Sequence, residues 1–343
     1  MSKIKSRFIL YSILLVLLSM FSVSCLASKD VTPHKIQKIL AILKGGRIVA
    51  DYYKPVKKDV YSVVATPEFA DYKKFETTFY AKFRKKLNLH NMRKVDYKDK
   101  LVFSNGHDEI QYFKTTGAVI YTRGLSEKKL NNSNMERMKK ASIDFIIKYG
   151  GGLPKDAALT QFFPIQIINN TTGKIKPFRC LLNYSRKYQD LKVAGLGADI
   201  ITIDVDDGGI TFYKKLWRNF KLDKKIAAAL ITDEVEALNK NISQILSTLA
   251  WISVQKDQLY KITEVNLVYV GSRFNDPVNT ITLAWEYKCE DLYFYIDAIT
   301  GDFLEKQTTF STESGVNSLK KEFEILNKNK NERLLINEPR RLE

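Results

Sequence analysis

The chain has 343 residues, of which 45% are hydrophobic and 27% are charged, which is enough for two or three small domains with real cores. Extensive disorder is therefore excluded. There are 55 Lys and Arg against 38 Asp and Glu, a formal net charge of +17, and only 3 His. So little histidine leaves scant material for His-based metal or proton chemistry and disfavours a conventional enzyme.

The N-terminus is typical of an export signal. Lys3, Lys5 and Arg7 precede residues 8–27, FILYSILLVLLSMFSVSCLA, which contain no charged residue. A basic region followed by an apolar one is the pattern of a signal peptide, and small residues fit cleavage after Ala27.

Two alternatives to cleavage remain open. An apolar segment of about 20 residues can also span a bilayer as an N-terminal membrane anchor. Cys25 ends a tripeptide that resembles the end of a bacterial lipobox, so it is a candidate lipidation site. All three alternatives place residues 28–343 outside the cytoplasm.

Removal of the three N-terminal cations leaves +14 on the exported chain. Such a charge favours anionic partners, namely lipid headgroups, anionic wall polymers or acidic proteins. Export argues against nucleic acid as the partner. The plainer interpretation is that lysines are used freely on solvated faces.

Cys180 and Cys289 remain after cleavage, each in a segment that reads as a strand. In an oxidising compartment they are a candidate disulfide. The alternative is two unpaired, half-buried thiols, because the sequence fixes neither their distance nor their geometry.

The first predicted element is a short amphipathic helix at residues 33–44. Ile36, Ile39, Leu40 and Leu43 recur at helical spacing with Lys between them. This helix either contacts a membrane surface or packs on the first sheet.

A helix of about 20 residues is predicted from Thr66, which is followed by Pro and Glu as at a helix N-terminus. A helix is also predicted from Thr232 through Leu249. The other predicted elements are strands at 95–103 and 109–122 around an Asn-Gly turn, a helix at 134–149, strands at 162–169, 175–187, 196–205 and 209–217, and strands at 260–270, 280–289, 292–296 and 302–305.

One strand-turn-strand unit occurs twice. Residues 109–119 align with residues 293–303, and both contain a strand, a Thr-Gly turn and a second strand. Glycine adopts the positive φ of such a turn at little cost.

The segment AWEY at residues 284–287, followed by YFYIDAITGD at 293–302, resembles the C-terminal strands of PepSY-type domains. Residues 189–212, QDLKVAGLGADIITIDVDDGGITF, are similar to the related propeptide module of thermolysin-like proteases. The two stretches cover about a third of the chain.

The resemblance implies an exported, non-catalytic protein that binds or restrains peptidases or other envelope proteins. One branch with this build comprises the extracytoplasmic accessory proteins of a bacterial cell-wall sensor kinase. The chain departs from the protease pattern because no HExxH motif follows, and His34, His90 and His107 lie in unrelated contexts. Any inhibition would therefore act on another chain.

Other catalytic or metal-binding motifs are weak. Asp204, Asp206 and Asp207 precede two glycines as in a calcium loop, but Lys215 occupies the position where a twelve-residue loop needs a carboxylate. A hairpin turn is the favoured interpretation. Ser-x-x-Lys matches at Ser126 and Ser318 are expected by chance in so Lys-rich a chain.

The sequence therefore predicts an α+β protein of tandem modules, each a helix packed on a small antiparallel β-meander. The expected divisions are a signal or anchor at 1–27, an N-terminal PepSY-like module at 28–130, a double helix-plus-meander region at 131–310 and a charged tail at 311–343.

The expected function is that of an exported, non-enzymatic envelope protein that binds another envelope or secreted protein, with no cofactor and no metal. The alternative is a basic protein that attaches to anionic wall polymer or lipid, and an unrecognised hydrolase is the third hypothesis. Strand alternation predicts that Phe294, Ile296 and Ala298 lie beneath the helix at 232–249. It places Tyr293, Tyr295 and Asp297 on the opposite face as a candidate partner-binding surface.

Overall fold

The computed structural model describes residues 34–43, 46–69, 71–124, 135–206, 208–252, 258–273, 279–290, 292–308, 332–336 and 340–341. The chain is α+β, with many strands, few helices and a large, mainly antiparallel sheet. The strands are β1 (Lys35–Leu43), β2 (Gly46–Tyr53), β3 (Val60–Thr66), β4 (Arg93–Asp96), β5 (Lys100–Ser104), β6 (Asp108–Phe113), β7 (Val119–Arg123), β8 (Ala157–Asn169), β9 (Ile175–Tyr188), β10 (Leu191–Ala194), β11 (Ile200–Asp206), β12 (Gly209–Leu216), β13 (Asn219–Ile226), β14 (Gln258–Gly271), β15 (Ile281–Cys289), β16 (Leu292–Asp297), β17 (Phe303–Thr308), β18 (Glu332–Ile336) and β19 (Arg340–Arg341).

Helix α1 consists of three consecutive segments, Tyr72–Lys74, the π-helical Phe75–Tyr80 and Ala81–Leu87. The other helices are α2 (Met135–Lys148), α3 (Glu234–Lys240) and α4 (Ile242–Ile252), with a short 3₁₀ turn at Ala228–Leu230. Within the described part of the chain, no helix is both long enough and apolar enough to span a membrane.

The first sheet has the antiparallel order β4-β5-β6-β7-β12-β11-β9-β8, and β18 and β19 both pair with β8. Helices α1 and α2 cover one face of this sheet and share a hydrophobic core with it. The rings of Phe83 and Phe145, one from each helix, meet edge to face with centroids 5.3 Å apart. The two helices therefore lie side by side as one layer.

The second sheet has the order β1-β2-β14-β15-β16-β17, in which β2 runs parallel to β14 and the other neighbours are antiparallel. Its inner face packs on α3, α4 and the two-stranded ribbon β3–β13, around a second hydrophobic core. Strand β10 pairs with both β9 and β14, and this pairing joins the two sheets.

A buried ion cluster lies at this junction. The carboxylate of Asp199, which is fully buried, accepts hydrogen bonds from Arg186 Nη1 at 2.7 Å and from Arg218 Nε at 2.7 Å. Arg218 also donates to the Gly197 carbonyl at 2.6 Å. Burial raises the pKa of Asp199, and the two arginines oppose that rise. A buried carboxylate is tolerable here because its hydrogen-bonding capacity is satisfied.

The predicted helix at residues 33–44 is wrong, because residues 35–43 form strand β1. Of the four apolar positions in that prediction, Ile36 and Leu40 are partly buried against the second core. A four-residue spacing places two side chains on one face of a helix and also on one face of a strand, which is why periodicity misled here.

The helix predicted from Thr66 exists but begins later. Thr66 ends β3, where it pairs with Asn219 of β13. The N-cap is Asp71, whose Oδ1 accepts from the Lys74 amide at 2.7 Å. The helix predicted from Thr232 is likewise capped one residue later, by Asp233, and is divided at Asn241 into α3 and α4. The helix predicted at 134–149 and the strands predicted across 260–305 are confirmed.

The repeated Thr-Gly unit has the same turn geometry in both copies. The Gly117 amide donates to Phe113 O at 2.8 Å, and the Gly301 amide donates to Asp297 O at 3.0 Å. The two glycines have φ of 72° and 70°. The sequence alignment of residues 109–119 with 293–303 therefore corresponds to equivalent backbone positions.

Candidate functional site

Strand β16 separates two faces of the second sheet. Phe294, Ile296 and Ala298 are each 0% exposed in the second core, which also contains Leu238 and Ile245 of the two helices above. The predicted inward register is therefore confirmed. Alternation places Tyr293, Tyr295 and Asp297 on the opposite side.

Strand register defines what surrounds these residues. Lys288 of β15 pairs with Tyr293 and with Glu264 of β14, and Glu286 pairs with Tyr295 and with Asn266. Gln307 of β17 lies opposite Tyr293. We call the following residues the outer face: Glu264, Asn266, Glu286, Lys288, Tyr293, Tyr295 and Gln307.

Tyr295 is buried, although alternation alone predicts a partly exposed side chain. It is 1% exposed and packs with Ala194, Val268, Val270 and Ala284. The cause is β10, whose end crosses this part of the sheet. Burial raises the pKa of the Tyr295 hydroxyl, and the adjacent Glu286 carboxylate adds to the effect. Tyr295 is thus part of a small second layer rather than of an open surface.

Asp297 stabilises the Thr-Gly turn. Its Oδ1 accepts from the Ile299 amide at 2.7 Å and from the Thr300 amide at 2.9 Å. An Asp at this position mimics a backbone turn, which is a structural role. Tyr295 is therefore covered, and Asp297 belongs to the turn. Of the three predicted residues, only Tyr293 has a partly exposed ring on the outer face, and we call its surroundings the open part of that face.

A polar cluster adjoins Tyr293. The carboxylate of Glu286, which is 2% exposed, accepts from Lys192 Nζ at 3.0 Å and from the Tyr295 hydroxyl at 3.0 Å. Lys192 Nζ also lies 5.2 Å from the centroid of the Tyr293 ring, within cation–π range. Lys288 forms an ion pair with Glu264. Ion pairs and a cation–π contact thus place both lysines next to Tyr293 on the sheet.

The loop after β10 closes one end of the outer face. Gly195 has φ of +84°. The backbone amide of the next residue, Leu196, donates a hydrogen bond to Glu305 Oε1 at 2.7 Å. A Cβ at Gly197 would lie 1.9 Å from the Ser272 carbonyl oxygen, so no other residue fits at this crossing. These glycines belong to the VAGLG stretch that carried the propeptide resemblance, but the sequence does not show that this loop covers β14–β16.

Sequence reasoning missed Lys192, Glu286 and Lys288. Glu286 carried a usable signal, because a carboxylate in the otherwise apolar and aromatic strand AWEY must have a partner when buried. Lys192 carried none, since it reaches the sheet only through the β10–β14 pairing.

The structure does not bring the two cysteines together. Cys180 lies in the first core and Cys289 in the second, and both are free and fully buried. Burial raises the pKa of each thiol to about 12. Cys25, the candidate lipidation site, lies outside the described residues.

The acidic stretch at 204–206 forms the predicted hairpin between β11 and β12. Arg179 Nε lies 2.6 Å from Asp204 Oδ2, and Arg123 Nη2 lies 2.6 Å from Asp206 Oδ2. Both carboxylates are therefore neutralised by arginine. Among the described residues, no group of three or more His, Cys, Asp or Glu is placed to hold a metal ion.

A separate groove of about 540 Å³ lies between the ends of α1 and α2 and the β11–β12 hairpin. Its charged lining residues are Lys86, Asp108, Arg123, Asp144 and Lys148. The Tyr121 hydroxyl donates to Asp108 Oδ1 at 2.9 Å, and Arg123 is held by Asp206. Asp108 and Arg123 are therefore engaged within the protein, and charges of both signs line the groove.

No family model matches the chain, and no curated protein matches it. Among solved structures, an uncharacterized protein from Eubacterium rectale is similar over 80% of this chain and 94% of that chain, with 12% identity and a TM-score of 0.45. The C-terminal domain of Bacillus megaterium YpeB is similar over 67% of this chain and 95% of that chain, with 11% identity and a TM-score of 0.31. YycH from Bacillus subtilis is similar over 79% of this chain and 57% of that chain, with 11% identity and a TM-score of 0.33. These similarities are too distant to assign a function.

Proposed function

We propose that this chain is an exported, non-catalytic protein of the cell envelope that binds another envelope or secreted protein through the open part of its outer face. The observation that supports this proposal most is the position of Lys192, whose Nζ contacts both the Tyr293 ring and the buried Glu286 carboxylate, with Lys288 opposite Tyr293 on the neighbouring strand. Export is inferred from the N-terminal signal-like segment.

The chemistry of this cluster suits protein recognition. Tyrosine provides a large contact area with a polar tip and is enriched at interfaces. A ring and two cations held on a sheet lose little conformational entropy when a partner binds. The Lys192 side chain is 46% exposed and the Lys288 side chain is 22% exposed. Each ammonium has three N–H donors, so each can donate to a partner as well as to its own carboxylate.

We further propose that the sheet is built from helix-plus-meander units of PepSY type, with the first unit in residues 28–130 and two more in residues 131–310. Strands β4 to β7 follow α1 and pair consecutively, and strands β14 to β17 follow α4 and pair consecutively. In this proposal the partner is a peptidase or a sensor protein, which the chain restrains.

Affinity capture from the native envelope tests the binding proposal. The exported chain is immobilised, and bound proteins are compared between the wild type and a Tyr293→Ala, Lys288→Ala double variant. A matched control carries Val64→Ala and Lys221→Ala, two exposed residues of the β3–β13 ribbon, which packs on the inner face of the same sheet. A protein that is retained by the control but lost with the outer-face variant is expected. Equal capture by all three chains would contradict the proposal.

A further inference from the structure

The outward surface of α1 and α2 is strongly basic. These helices carry ten Lys and Arg against three Asp and Glu over their combined length. Nine of the cations are exposed. Arg84 donates its Nε–H to the Leu89 carbonyl at 3.0 Å, and we call the other eight the basic helical face: Lys73, Lys74, Lys82, Lys85, Lys86, Arg137, Lys140 and Lys148. A large share of the chain's net positive charge is thus concentrated in one layer.

Packing fixes the orientation of this face. Phe75, Phe79 and Phe83 of α1 are at most 1% exposed beneath the helix, and Phe145 of α2 is 4% exposed. Since these rings bind both helices to the first sheet, the lysines between them must project to the other side. Lys86 Nζ lies 5.0 Å from the ring centroid of Tyr149, so the two helices form a continuous basic surface.

The charges of this face are not neutralised within the described structure. None of the eight cations forms an ion pair with a carboxylate of the described residues. Several lysines elsewhere are paired, for example Lys35 with Asp51, Lys225 with Asp59 and Lys240 with Asp302. Clustered like charges repel one another, and an anionic partner relieves that repulsion.

We infer that the basic helical face docks on the anionic headgroup surface of a lipid bilayer. The basic helical face is formed by two adjacent helices, and α1 is about 24 Å long. Its charges are therefore spread over a broad layer, and the headgroups of a bilayer are anions spread over a surface. Lysine and arginine near such a surface each contribute to attraction of anionic lipid. The face has one large exposed apolar residue, Ile147, so docking rests on charge rather than on insertion. Two of the alternatives that the sequence leaves open, an anchor at residues 8–27 and a lipid at Cys25, would hold the exported chain at a membrane, where this surface would act.

Vesicle co-sedimentation tests the inference with the full chain. One set of vesicles contains phosphatidylcholine alone, and the other contains phosphatidylcholine with phosphatidylglycerol. The apolar N-terminal segment contributes to binding of both sets, so the ratio of the two affinities reports the preference for anionic lipid. The test variant is Lys74→Gln, Lys82→Gln, Lys85→Gln. The control is Lys187→Gln, Lys221→Gln, Lys224→Gln, which removes three exposed lysines and the same charge from β9 and β13.

The test variant is expected to lose at least about tenfold in preference for anionic vesicles, whereas the control keeps most of it. The wild-type preference should fall steeply as salt rises, because exposed charges are screened. Equal losses in both variants would overturn the inference, since net charge alone would then explain binding. Tighter binding to soluble polyglutamate or to polyglycerol phosphate than to vesicles would also overturn it. Thermal melts of both variants are expected to match the wild type, because all six side chains are exposed.

Discussion

The hydroxyl of Tyr295 donates a hydrogen bond to the carboxylate of Glu286 on the neighbouring strand, with 3.0 Å between the two oxygens. Both side chains lie on the outer face of the second sheet, yet they are 1% and 2% exposed. The outer face is therefore not uniformly exposed. Strand β10 and the loop after it cover the part around Tyr295, whereas the part around Tyr293 is open.

Because neighbouring residues of β16 differ in burial, their substitution by alanine should lower the free energy of unfolding by different amounts. Phe294→Ala, Ile296→Ala and Tyr295→Ala should each lower the free energy of unfolding by about 2–4 kcal/mol, because each removes a fully packed side chain. Tyr293→Ala should cost less than about 1 kcal/mol, as expected of a partly exposed position. Urea denaturation measures all four. A small effect of Tyr295→Ala would show that the β10 layer does not cover it.

The crossing of Gly197 over Ser272 predicts a steric defect. Gly197→Ala places a Cβ against a backbone carbonyl, which cannot move as a side chain can, and should cost about 3 kcal/mol or more. Gly152→Ala is the control, since its Cβ meets nothing within 4 Å and only its φ of +83° is unfavourable. That strain costs about 1–2 kcal/mol. Equal unfolding midpoints for the two variants would contradict the close approach.

The cap of α3 predicts a pH dependence of stability. Burial raises the pKa of Asp233, but hydrogen bonds from the Val235 amide and Lys54 outweigh it, so the pKa is lowered below its usual value. A lowered pKa in the folded state means that the ionised carboxylate stabilises the fold at neutral pH, and that this contribution is lost as pH falls through that pKa.

Asp233→Asn isolates this charge, because Asn caps a helix about as well as Asp. The wild type should be more stable than the variant at pH 7 by a few tenths of a kcal/mol. The difference should begin to fade near about pH 4 and should disappear once the pH is below the lowered pKa of Asp233. Thermal unfolding followed by circular dichroism from neutral to acidic pH measures it. A difference that grows on acidification would contradict the sign.

The two buried thiols predict slow alkylation in the native state. With a pKa of about 12 for Cys180 and Cys289, roughly one thiol in ten thousand is ionised at pH 8, and the thiolate is the reactive form. Iodoacetamide should label neither residue in the folded chain and both residues after denaturation without reductant, as mass spectrometry of peptides would show. Labelling that requires a reductant even in denaturant would instead reveal a disulfide.

Local patterns predicted the elements whose contacts are local. The meander at 260–305 could be predicted because each strand pairs with its sequence neighbour and alternates cleanly. Strand β1 could not, because Ile36 and Leu40 fit both periods and the core on which they pack consists mostly of residues far along the chain. The start of α1 was misplaced because Thr66 is held by Asn219, which lies more than 150 residues away.

The candidate site shows the same limit. Alternation correctly assigned Phe294 and Ile296 to the core and Tyr293 to the opposite side. It could not show that β10, about 100 residues upstream, covers Tyr295 and delivers Lys192 to Glu286. Long-range coverage of a sheet face leaves no periodic signal in the covered strand, so this part of the site required the structure.

Site-specific photo-crosslinking in intact cells tests the proposed function most directly. A benzophenone side chain at position 293 lies on the open outer face, and the same group at position 221 lies on the ribbon at the inner face. The proposal predicts a discrete crosslinked envelope protein from position 293 and none from position 221. A crosslink from position 221 alone, or none from position 293 while the chain is exported and folded, would contradict it.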